Sequence, residues 1–221
     1  MPVKFNEYWN IIPGTVNQYV EFMKRTRIPT LNKLGININA IWCGLIGPTP
    51  QIISEGIADN THQIEMALTN KEYLKTHSEL LHYVKDYQSK VLIPTGRFEH
   101  LPRVADKSTI KFNQYWEVNA GKEDEYESFI RDEFAPTLRD MGIRVGGEWK
   151  ILIGGSPNII FEGRCETEHI MNALNSKKFR KIRLELLQMV SNYTSRILVI
   201  HAFKTIGSRA VAYEFVDVCM L

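Results

Sequence analysis

Residues Lys4–Trp9 read KFNEYW, and residues Lys111–Trp116 read KFNQYW. Extended without gaps from that phrase, Lys4–Gly56 and Lys111–Gly163 are identical at 22 of 53 positions, far above the handful that chance supplies. The shared residues include Phe5/Phe112, Asn6/Asn113, Tyr8/Tyr115, Trp9/Trp116, Gly35/Gly142, Trp42/Trp149, Pro50/Pro157 and Glu55/Glu162. After one deleted residue the match resumes, with Leu68 against Leu174, Tyr73 against Phe179 and Tyr87 against Tyr193. A period of about 100 residues is too long for a solenoid unit, so the pattern predicts a duplicated domain. The expected division is 1–99 for the first repeat, 100–110 for a polar, proline-bearing joint, 111–206 for the second repeat, and 207–221 for an extension.

Each repeat spells the same order of elements. KFNEYWNI and KFNQYWEV are short, aromatic-rich strands. A turn at Pro13-Gly14 or Ala120-Gly121 leads into a helix, over about Thr15–Leu34 in the first repeat, with apolar residues near helical spacing. Gly35 and Gly142 stand where a left-handed residue ends a helix, and Pro29 and Pro136 are expected to kink its last turn. INAIWCGLIG and GGEWKILIG are joined to QIISEGIAD and NIIFEGRCE by hairpin turns, GPTP and GGSP. A second helix is expected over about Thr61–Asp86 and Thr167–Ser191, followed by a last strand, SKVLIPTGRF or SRILVIHAF. The order β-α-β-β-α-β is the ferredoxin-like unit. Such a sheet carries both helices on one face and leaves the other bare, so two copies in one chain are expected to pack sheet to sheet, an α+β, barrel-like pair.

The pieces NEYWNIIPG, IPTLNKLG and INAIWCGLIGP, with their partners after Lys111, resemble the dimeric α/β-barrel superfamily. That superfamily includes antibiotic-biosynthesis-type monooxygenases and NIPSNAP-like proteins, and the NIPSNAP-like punctuation is the nearest in kind. The resemblance implies pockets between sheet and helices, or between the two sheets. The strand residues are then the first candidates for binding a small hydrophobic or aromatic molecule: Asn6, Tyr8, Asn113 and Tyr115 as polar handles, Trp42 and Trp149 as flat walls. The plainer reading makes each a packed strand residue. Glu55 and Glu162, in IISEG and IIFEG, are candidate bases or, equally, members of cross-sheet ion pairs.

His77 follows an aromatic residue by four positions in EYLKTHSELLHYV, which resembles the helix of IsdG-type heme-degrading monooxygenases. That resemblance implies heme iron on His77, with Asn6 at the family's first-strand asparagine. The chain departs from the pattern twice: Trp42 is on the second strand rather than the third, and Arg183 takes the place of His77 in the second repeat. No other cofactor and no metal site is expected, because His62, His82 and His201 have no ligand spacing.

Net charge is +2 and the basic run Lys177–Arg183 has no interleaved stacking platform, so nucleic acid is not an expected partner. No apolar run is long enough to cross a bilayer, and Cys43, Cys165 and Cys219 lack paired spacing. Reduced thiols and a cytoplasmic location are the corresponding expectations. The extension GSRAVAYEFVDVCML alternates like a strand and is expected to cover a barrel edge or to pair with a second copy of the chain. Three functions remain open at this level: a small-molecule-binding barrel, a cofactor-independent monooxygenase or isomerase, and a scaffold.

Overall fold

The computed structural model describes residues 1–98, 108–206 and 211–216. The expected joint and most of the extension, including Cys219, therefore lie outside the described residues. β1 (Val3–Ile11) is buried along almost its whole length, on both faces. Phe5, Glu7 and Trp9 face one way and Lys4, Asn6 and Tyr8 the other, because side chains alternate along a strand. Helices cover the first set and the opposite half of the molecule covers the second.

The first helix differs from its expected form. α1 (Val16–Phe22) and α2 (Ile28–Lys33) are joined by a π-helical turn at Met23–Arg27, and Pro29 lies in the first turn of α2. The ring of a helical proline clashes with the carbonyl four residues back. A widened turn just before it absorbs that clash without a sharp bend, so the helix is interrupted in its middle rather than kinked at its end. Gly35, with φ +86°, terminates α2 as expected, and Ile36 donates its N–H to Leu31 O at 2.9 Å.

β2 (Asn37–Ile46) and β3 (Ile52–Ala58) form the expected hairpin. The second helix is shorter than expected and split, into α3 (Thr61–Leu68) and α4 (Lys71–Leu80). Asn70 starts α4 by accepting the Glu72 N–H at 2.8 Å, and this cap outweighs the continuous apolar spacing. β4 (Val84–Pro94) begins where the helix was expected to continue.

The second half repeats the series: β5 (Ile110–Val118), α5 (Glu123–Phe129), a π-helical turn at Ile130–Phe134, α6 (Ala135–Asp140), β6 (Arg144–Ile153), β7 (Ile159–Cys165), α7 (Thr167–Asn175), α8 (Lys177–Leu186) and β8 (Val190–Ile206). A ninth strand, β9 (Val211–Phe215), follows.

Within the halves the strand orders are β2-β3-β1-β4 and β6-β7-β5-β8. β4 pairs with β6 and β8 pairs with β2, so the eight strands close into a ring and each half supplies the partner for the other's edges. Two cores lie under the helices, one around Phe5, Trp9, Tyr19 and Leu31, the other around Phe112, Trp116, Phe134 and Phe161. The ring's interior holds Tyr8, Trp42 and Ile53 facing Tyr115, Trp149 and Ile160. β9 pairs with Ala202–Ile206 of β8 in the same chain.

Cys43 is disulfide-bonded, against the expectation of reduced thiols, whereas Cys165 is free and buried. Sequence spacing could not show this, because a cross-link between distant positions depends on which Cβ atoms the fold brings together. Among the described residues, no helix is long and apolar enough to cross a membrane.

Candidate functional site

The structure brings eight of the nine sequence candidates into the ring's interior and sets His77 apart. At the centre lie two residues that sequence reasoning missed, Lys4 and Lys111, 4% and 0% exposed. They stand at the first position of the repeated phrase and point inward from β1 and β5. Lys4 Nζ donates to both oxygens of Glu162 at 2.7 Å. Lys111 Nζ donates to Glu162 Oε1 at 2.8 Å and makes a short bond to Glu55 Oε1. Glu55 Oε2 accepts the Trp42 indole N–H at 2.8 Å, and Glu162 Oε2, already bonded to Lys4, also accepts that of Trp149 at 3.1 Å.

Lys4 also lies 4.3 Å from the centre of the Trp149 ring, and Lys111 5.3 Å from that of Trp42. Burial pushes the Glu162 carboxyl up, but the Lys111 and Lys4 ammoniums outweigh it and hold it well below the usual carboxylate range. All four carboxylate oxygens are occupied, so neither Glu55 nor Glu162 is poised to take a proton from a ligand. Asn6 donates to Tyr8 Oη, and Asn113 to Tyr115 Oη, each at 3.2 Å. Burial pushes the Tyr115 hydroxyl up to about 12. This interior is a crossed double ion pair, walled by tryptophans, that ties one half to the other.

The helix-covered layer of the first half has a different character. Arg27, the last residue of the π-helical turn, is fully buried and bonds Glu7 Oε1 through Nη2 at 2.5 Å. Its Nη1 donates to Thr76 Oγ1 at 3.0 Å, and Tyr73 lies 4.5 Å beneath the guanidinium. Tyr87 donates to Glu7 Oε1 at 2.7 Å. Ser54 stands directly opposite Glu7 on β3. Around this group Glu7 Oε2, Arg27 Nε, Ser54 Oγ and His77 Nδ1 are buried with no hydrogen-bond partner among the described residues. Buried polar atoms are nearly always bonded, so four around one ion pair call for an explanation.

The second half fills the equivalent space with aromatic rings, and there Gln114 Nε2 is likewise buried without a partner among the described residues. Gln114 replaces Glu7, Phe134 replaces Arg27 and Phe161 replaces Ser54. Phe134 and Phe161 meet edge to face with centroids 5.4 Å apart, and Phe161 stacks on Trp116 at 5.7 Å. Tyr126, the counterpart of Tyr19, makes a short bond to Glu148 and accepts the Trp116 N–H at 2.9 Å. In the first half Ile41 stands in the place of Glu148, leaving Tyr19 without that acceptor. The signal was present in the sequence, at the positions where the repeats disagree.

His77 borders this polar cell. Its ring is parallel to Tyr73 at 5.7 Å and edge-on to Tyr87 at 4.6 Å. Burial, then the Arg27 charge, lowers its pKa below the ordinary histidine value.

No protein-family model and no curated protein matches the chain. Among solved structures, a proposed monooxygenase from Lactobacillus acidophilus matches with a TM-score of 0.60 at 10% identity, over 98% of this chain and 99% of its own. An anthrone oxidase-like protein matches with a TM-score of 0.61 at 9% identity, over 90% of each chain. A NIPSNAP family protein from Agrobacterium tumefaciens matches over 43% of this chain and 95% of its own, with a TM-score of 0.36 at 14% identity. The chain shares the fold of the first two of these structures over nearly its whole length.

Proposed function

We propose that the protein binds a small molecule in the helix–sheet layer of its first half, in the cell lined by Glu7, Arg27, Ser54, Tyr73, His77 and Tyr87. The observation that carries this reading is the clustering of unpartnered buried polar atoms there, set against the aromatic filling of the equivalent space in the second half. The walls supply flat apolar surface and the polar atoms supply orientation, the usual division of labour in a small-molecule site.

A monooxygenase reading finds support in the fold shared with a proposed monooxygenase and an anthrone oxidase-like protein. It also finds support in Glu7, whose Oε2 is available to accept a proton from a bound substrate while Arg27 and Tyr87 hold Oε1.

The test is fluorescence titration with anilinonaphthalene sulfonate. One site per chain is expected. Ser54→Phe, which installs the residue that plugs the second half, is expected to abolish it. Binding that survives this substitution would remove the cell from consideration.

A further inference from the structure

The helix layer of the second half sorts its charges by sign. Between Glu123 and Glu133 six acidic residues stand against one base, Arg131. Along α8 five bases, Lys177, Lys178, Arg180, Lys181 and Arg183, stand against Glu185. The first half has no such division. Its matching stretches hold one acid and two bases over 16–26, and two lysines and two glutamates over α4.

The fold turns these runs into two poles on one surface. α6 ends beside the start of α8, where Lys178 Nζ meets Asp140 Oδ2 at 2.8 Å. α5 and the π-helical turn lie beside the other end of α8. There Glu125, Asp132 and Glu133 share an open groove with Glu185 and Gln188, and the buried side chains of Phe129 and Met189 line it too. The basic pole thus sits at the first turns of α8 and the acidic pole at its last, roughly 15 Å away along the helix. Leu184 stands between them, 58% exposed and one turn before Gln188, where the first half has Ser78.

Neutralisation within the chain is incomplete. Lys122 holds Glu125, Arg131 holds Asp132, and Lys178 holds Asp140. Glu123, Asp124, Glu133, Lys177, Arg180 and Arg183 are exposed and form no ion pair among the described residues. Like charges one helical turn apart repel, so a sorted face costs stability that a mixed face does not. A partner with the opposite sorting recovers that cost.

A second copy of the chain is such a partner. A twofold axis normal to the layer near Leu184 lays the basic pole of each copy on the acidic pole of the other. The complementary contact is then made twice, and the two leucines meet at the centre, as an isologous interface requires. We propose that two copies of the chain pair through this α5–α8 face. The pairing lies on the second half and does not depend on the first-half cell.

The experiment is sedimentation equilibrium of the full chain, at about 0.05 M and about 0.5 M salt, where exposed charges are weakly and strongly screened. A dimer is expected at low salt, weakened at least tenfold at high salt. Lys177→Glu/Arg180→Glu makes both poles acidic and Asp132→Lys/Glu133→Lys makes both basic. Each double variant alone is expected to be a monomer with native circular dichroism, and an equal mixture of the two is expected to form a heterodimer. A chain that stays monomeric at low salt would overturn the proposal. So would a dimer indifferent to salt and to both variants, which would place the contact elsewhere on the chain. Folded variants that fail to pair when mixed would overturn the twofold arrangement. Should a variant fail to fold, the salt response of the unaltered chain decides.

Discussion

Lys4 and Lys111 hold the carboxylates of Glu55 and Glu162 where neither water nor a counterion can reach them. Removing one member strands a buried charge, which costs about 3–5 kcal/mol. Lys111→Met should therefore lower stability by about that amount in urea unfolding at neutral pH. A loss below about 1 kcal/mol would mean that the remaining lysine suffices. The pH dependence follows from the depressed Glu162 carboxyl. Its stabilising contribution is full above the unfolded glutamate value, about 4.3, and is lost as pH falls below that toward the much lower folded value. Melting temperature should thus fall in mild acid, and the slope should be shallower in Glu162→Gln. An identical slope would assign acid sensitivity to other groups. Ser54→Phe bears on packing as well as on binding. If the first-half cell has the room that Phe161 fills in the second, burying the new ring adds about 1–3 kcal/mol. A lowered melting temperature would show that the neighbours already fill the space.

The elements differ in how plainly the sequence spells them. Strands β1 and β5, the hairpins and the glycine stops at Gly35 and Gly142 follow from local pattern and were legible. The π-helical turn was not, because the spacing of apolar residues is nearly the same for a regular and a locally widened helix. The break between α3 and α4 was available in Asn70, and in Ser176 of the second half, but the apolar spacing ran through both and hid them. Asn70 accepts the Glu72 N–H and Ser176 the Phe179 N–H at 3.0 Å. Replacing either by alanine should cost about 1 kcal/mol, measurable by chemical denaturation. No change would show that tertiary packing alone sets the break.

At the scale of the whole molecule, the ring makes each half depend on the other. Separated halves would expose the edges of β2, β4, β6 and β8, and leave each lysine without the carboxylate across the interior. Residues 1–98 expressed alone should fail to form a stable monomer, and should recover native circular dichroism only when mixed with residues 108–221. A cooperatively unfolding monomeric half would contradict this. The candidate residues divide along the same line. Eight of them were identified because they recur, and recurrence selected the shared interior that joins the halves. The cell proposed to bind a ligand centres on residues that do not recur, Glu7, Arg27 and Ser54, beside Tyr87, which does, and of its lining only His77 was a site candidate from the sequence.

The sequence by itself determined the repeat, the order of elements within it and the need to cover two bare sheet faces, because these depend on local periodicity and on the fixed chemistry of glycine, proline and aromatic strands. Only the tertiary structure decided which buried charges neutralise one another, which unsatisfied polar atoms gather around the Glu7–Arg27 pair, and where the C-terminal strand came to rest. Those outcomes depend on distances between residues far apart in the chain, and a linear pattern carries no measure of such distances.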